Sequence, residues 1–133
     1  MLRRLSALAF AVTQMSASGG NGTLLQRANR FAPVATNPYE GQPAAEKAGA
    51  KLLQYHCSAC HGRDAKGMGK APPLVAPEVR NASPGALKWV LRNGSLTTGM
   101  PSFSKLPEEQ RWQIIAFLQR LNRPPGPSSP SCN

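Results

Sequence analysis

A chain of 133 residues with Pro-rich ends has room for one small domain. Only 6% of the residues are aromatic, so a core of about eighty residues would be thin without added apolar mass. The formal charge of +10, from 16 Lys+Arg against 6 Asp+Glu, suits acidic protein partners or anionic membranes. A nucleic-acid binder is argued against, because there is no dense Lys/Arg run and no interleaving of aromatic with basic residues.

In chain order, the first 18 residues read as an export signal. Arg3 and Arg4 precede a short apolar run over 5–12, and small residues over 16–19 offer a cleavage site. Eight apolar residues are too few to cross a bilayer, which needs about twenty, and no cysteine marks a lipid anchor. A periplasmic or otherwise exported protein is therefore expected. Residues 19–42 show no sustained periodicity and read as a leader or linker. The ordered domain is expected over 43–122.

A helix is predicted over 44–56, with Ala45, Ala48, Leu52 and His56 at steps of three and four. An irregular loop is expected over 62–79. Ser83 as N-cap and Pro84 at the first helical position start the next helix. Leu87, Val90 and Leu91 form its buried stripe, and Gly94 is expected to end it in a left-handed conformation. After a loop over 95–106, Pro107 opens a last helix carrying Trp112, Ile114, Ile115, Phe117, Leu118 and Leu121. Residues 123–133 form a Pro/Ser-rich tail.

The chemistry lies at Cys57-Ser58-Ala59-Cys60-His61, the attachment pattern for c-type haem. Two thiols at this spacing can add across the porphyrin vinyl groups as thioethers, and His61 can bind the iron as proximal ligand. Structural zinc is disfavoured: Cys57, Cys60, His56 and His61 crowd into six residues with no second ligand pair elsewhere. A thioredoxin-like dithiol is disfavoured too, because no strand-like alternation surrounds the motif. For the sixth iron position the candidate is Met100, in Gly99-Met100-Pro101. Its thioether is a soft, neutral donor that favours reduced iron relative to a second imidazole. Met68, flanked by glycines close to His61, is expected to be an exposed loop residue, and His56 a surface one. Trp89 and Trp112 are expected in the core.

From Gly49 to Leu121 the sequence resembles class I monohaem cytochrome c. Gly49, eight residues before the first cysteine, looks like the family's glycine where the first and last helices meet, with Phe117 as the aromatic of the last helix. The resemblance implies an all-α fold of orthogonal helices packed around one covalent haem c. It also implies that the Pro72 carbonyl, with Pro73 as second candidate, accepts the N–H of the proximal His61. Met100 matches the axial methionine. The implied function is one-electron transfer between larger respiratory or dehydrogenase proteins, with iron as the redox centre and no enzymatic activity. The alternative is a peroxidase-like haem enzyme or a gas-ligand sensor with an open sixth position. Partners are expected to be redox proteins with acidic docking surfaces, met by Lys66, Lys70, Lys88, Arg92 and Lys105, and the chain is expected to be a monomer. Cys132 is left over after two thiols take the haem.

Overall fold

The computed structural model describes residues 23–32 and 35–124. The signal reading over 1–18 and the tail beyond 124, with Cys132, lie outside them. The described residues form six helices: α1 Leu24–Phe31, α2 Pro43–His56, α3 Ser58–His61, α4 Pro77–Arg80, α5 Pro84–Asn93 and α6 Glu108–Leu121. Among them there are no strands, only isolated bridges pairing Met68 with Ala71 and Ser95 with Met100. The all-α expectation holds.

The frame is α2 packed on α6. Pro43 sits in the first turn of α2, where its missing N–H costs nothing. The inward faces of the pair contribute Leu53, Ile114 and Ile115, at 1%, 1% and 0% exposure. At Gly49 the two backbones touch: a Cβ there would lie 1.9 Å from the carbonyl oxygen of Gln113 and 3.0 Å from Phe117 Cβ. Only glycine allows that approach. The buried Glu46 carboxylate adds ion pairs to Arg120 Nε at 3.6 Å and Arg123 at 3.8 Å.

α5 closes the core from a second side with Leu87 and Leu91. Its start follows the expected chemistry, with Ser83 Oγ accepting from Ala86 N–H at 3.1 Å. Gly94 ends it with φ +64°, but its ψ of −162° is extended rather than left-handed helical. The following loop folds back so tightly that a Cβ on Gly94 would lie 2.6 Å from the Met100 carbonyl oxygen.

Two elements depart from the sequence reading. Pro77 starts the short α4 inside the stretch expected to be irregular. More substantially, α1 forms within the stretch read as leader or linker. Thr23 and Gln26 make a capping box, Gln26 N–H to Thr23 Oγ1 at 3.3 Å and Thr23 N–H to Gln26 Oε1 at 2.9 Å. Ala28 is fully buried against Ala86 and Val90 of α5. Asn29 accepts from Ser83 N–H at 2.9 Å, and Ser83 Oγ donates to the Ala32 carbonyl at 3.1 Å. An eight-residue helix offers too few apolar repeats to show a period. Its Thr-x-x-Gln start was the legible signal. Further on, buried Asn37 donates to Trp112 O at 3.1 Å and to Gln119 Oε1 at 2.9 Å, tying this segment to α6.

Candidate haem site

Cys57 caps α2 and begins α3 at once. The His61 N–H donates to the Cys57 carbonyl at 2.9 Å and Gly62 N–H to Ser58 at 2.9 Å, so the motif forms one helical turn. On such a turn residues three and four apart share a face, which groups Cys57 with Cys60 and His61. Both thiols are free. Cys57 is buried in the same apolar cluster as Val79, Leu87, Leu91 and Trp112, whereas Cys60 is exposed. Burial, and second the neighbouring Cys60, pushes the Cys57 thiol up to about 11, so it is neutral near pH 7.

The loop that follows doubles back beneath His61. Gly67 makes the reversal possible: it has φ +87°, and a Cβ there would lie 2.7 Å from the Ala71 carbonyl oxygen and 2.9 Å from Pro73 N. Its N–H donates to the His61 carbonyl at 2.8 Å. Ala65 also has positive φ, +59°, and its carbonyl accepts from Leu74 N–H at 2.7 Å. His61 Nδ1 comes to rest 2.7 Å from the Pro72 carbonyl oxygen. A carbonyl only accepts, so Nδ1 carries the hydrogen and Nε2 keeps its lone pair free for a metal. Past Pro72 the loop is held by Asn122, which donates to the Leu74 carbonyl at 2.9 Å and accepts from Ala76 N–H at 3.3 Å. The sequence reading missed Gly67 and Asn122. A glycine six residues beyond the motif, ahead of two prolines, was the only hint of the first.

Met100 sits on the loop between α5 and α6. It exchanges two backbone bonds with Ser95, at 2.9 and 3.0 Å, around a turn in which Gly99 has φ +80°. Half-buried, it packs against both apolar clusters, one of which contains Cys57. Met68 is 57% exposed, as its loop position implied. His56 differs from expectation: it is half-buried, its ring edge-on to Tyr55 at 4.8 Å and to Phe103 at 6.0 Å. Trp112 is a core residue whose Nε1 donates to Glu108 at 3.3 Å; Trp89 is half-buried.

The basic residues expected around the site differ in their freedom. Lys66, Lys70, Arg92 and Lys105 are exposed. Lys88 is engaged: its ammonium pairs with Glu108 and lies 4.8 Å from the Trp112 ring centroid. The hydrogen bond from Lys88 and its charge hold the Glu108 carboxyl below the usual carboxylate range.

A histidine turned by a carbonyl, on a helical turn carrying two free thiols and set within packed helices, defines a class I monohaem c-type cytochrome. The chain belongs to the family described as cytochrome c oxidase, cbb3-type, subunit III, whose model matches residues 44–118, more than half of the sequence. Its fold is similar to that of cytochrome cL from the marine methylotrophic bacterium Methylophaga aminisulfidivorans MPT. The TM-score is 0.55 at 23% identity, over 77% of this chain and 70% of that one. At that identity the likeness is one of fold.

Such proteins carry haem c, covalently bound, with iron. The residues fit that group. Cys57 and Cys60 are candidate attachment residues on one turn, and His61 presents a free Nε2. Leu74, Met100 and Phe103 pack on the core while keeping one side accessible, as apolar walls of a crevice would. No helix among the described residues is long and apolar enough to cross a membrane.

Proposed function

We propose that this chain is a one-electron carrier whose iron is held between His61 and Met100. The haem supplies the one-electron iron couple. The hydrogen bond from His61 Nδ1 to the Pro72 carbonyl is the observation that carries the reading. It fixes the tautomer, aims Nε2 and strengthens the imidazole as a donor. Cys57 and Cys60 anchor the group by thioethers, and Met100 supplies the soft second donor. With His61 and Met100 both holding the iron, no site would be left for a substrate, which favours electron transfer over haem catalysis or gas sensing.

The optical spectrum of the oxidised protein tests this. A weak sulfur-to-iron charge-transfer band is expected in the wild type and should vanish in Met100→Ala. A high-spin spectrum with ready carbon monoxide binding would instead support the open-site enzyme or sensor reading.

The carrier works outside the cytoplasm, exported by residues 1–18, and exchanges electrons with larger respiratory or dehydrogenase proteins. Exposed Lys66, Lys70, Arg92 and Lys105 lie on the proximal loop, on α5 and on the methionine loop. They meet an acidic surface on the partner, raising association by about ten- to a thousandfold at low salt. Bimolecular electron transfer should slow steeply as salt rises. Rates flat with salt would assign the basic excess to solubility instead.

A further inference from the structure

Arg111, on the first turns of α6, is a charged side chain only 7% exposed. Unlike buried Glu46, it has no ion-pair partner among the described residues. Its Nη1 donates instead to three carbonyls of one short segment: Phe103 at 3.2 Å, Ser104 at 3.1 Å, and Leu106. Its Nε is buried with no hydrogen-bond partner. Taking a guanidinium out of water is expensive, and the bonds to these carbonyls offset only part of that cost.

The segment it grips directly follows Met100-Pro101-Ser102. On the other side the same loop is fastened to α5, by Phe103 N–H to the Leu91 carbonyl at 2.8 Å and by Ser102 Oγ to the Arg92 carbonyl at 2.5 Å. Those bonds place the near half of the loop relative to α5 alone. Its far half runs straight into Pro107 and α6, and Arg111 pins the carbonyls of that half onto the first turns of α6, which packs on the helix that leads into Cys57.

We propose that Arg111 is a positioning residue for the Met100 sulfur, holding the loop over 103–106 so that the thioether stays on the iron. The proposal rests on the reading that Met100 is the sixth ligand. The rigid guanidinium plane fixes Nη1 among these carbonyls; an ammonium on a flexible stem has no such plane to hold it there.

The test uses the oxidised holoprotein and imidazole, which competes with methionine for the iron. The tighter imidazole binds, the more readily the methionine leaves. In Arg111→Met and Arg111→Lys, imidazole affinity should rise by about tenfold or more, with a weakened charge-transfer band. Asn37→Ala is the control: it also removes buried bonds to α6, but none to the methionine loop, and should leave imidazole affinity at the wild-type value. Unchanged affinity in both Arg111 variants overturns the proposal. So does an equal rise in Asn37→Ala, which would make the effect one of general destabilisation. If neither Arg111 variant yields folded holoprotein while Asn37→Ala does, Arg111 is a fold-wide anchor and the proposal fails. Failure of the underlying ligation reading shows differently: the wild type itself would lack the band and bind imidazole as tightly as Met100→Ala.

Discussion

Gly49→Ala is the sharpest test of how this fold is built. The new methyl would sit 1.9 Å from the Gln113 carbonyl oxygen and 2.6 Å from its carbon, both backbone atoms that no rotamer change can move. Ordinary contact begins near 3.4 Å, so α2 and α6 must part or shift by about 1.5 Å. A gap of about 0.5–1 Å already forfeits a quarter to a half of a dispersion contact, and Leu53, Ile114 and Ile115 all lie in this interface. Overpacking against an unyielding neighbour costs about 3 kcal/mol. The better helix propensity of alanine returns about 1 kcal/mol. The net is a loss of about 2 kcal/mol, roughly thirtyfold in the unfolding equilibrium and about 8–16 °C in Tm for a domain of this size. Denaturant titration of the holoprotein, followed by haem absorbance and far-UV circular dichroism, measures it. A variant as stable as the wild type, or more stable by the propensity term alone, would refute the close approach.

Asn122→Ala should also destabilise, by about 2–4 kcal/mol, because it strands the Leu74 carbonyl and the Ala76 N–H in the interior; the same titration reads it. The haem-free chain should be largely unfolded, since helices with so thin a core do not offset chain entropy. Cys57 and Cys60 should then alkylate at equal rates by mass spectrometry. Marked protection of Cys57, whose thiol the assembled fold pushes up to about 11, would show that the fold forms without haem. The Lys88–Glu108 pair gives a small acid dependence. Because Lys88 lowers the Glu108 pKa, its contribution is present above the unfolded carboxylate range and is lost as pH falls through the lowered value. Lys88→Met should flatten that acid limb of the stability profile.

The haem-binding turn and the helix start at Ser83 were legible because each rests on local chemistry or on a pattern with few alternatives, whereas the role of Gly49 came from the resemblance. The Pro72 contact came from resemblance alone, since nothing in the order of residues says which carbonyl will lie beneath the imidazole. Asn122 was invisible for a related reason: its partners lie far away in sequence. Gly67 and Arg111 act on nearby loop carbonyls, but a loop without a period does not show which of its carbonyls turn inward, and a polar residue near a helix end reads as solvated until its partners are seen. α1 failed differently: its buried face is essentially Ala28, one turn after Leu24 and Leu25, too short a pattern to declare itself without the capping pair of Thr23 and Gln26.

The contact at Gly49 joins residues more than sixty positions apart, and this orders the assembly of the protein in time. The turn carrying Cys57, Cys60 and His61 is made of local bonds and can form as soon as it leaves the ribosome. The loops of Pro72 and Met100 are fastened from the two ends of α6, by Asn122 and by Arg111. The first fastening does not exist until the last helix has been synthesised and docked, and closing so long a loop is slow compared with forming a helical turn; the second is local but still needs the first turns of α6. A chain cut short before α6 therefore keeps the residues that would carry the cofactor, but loses the anchors of both loops that would flank it.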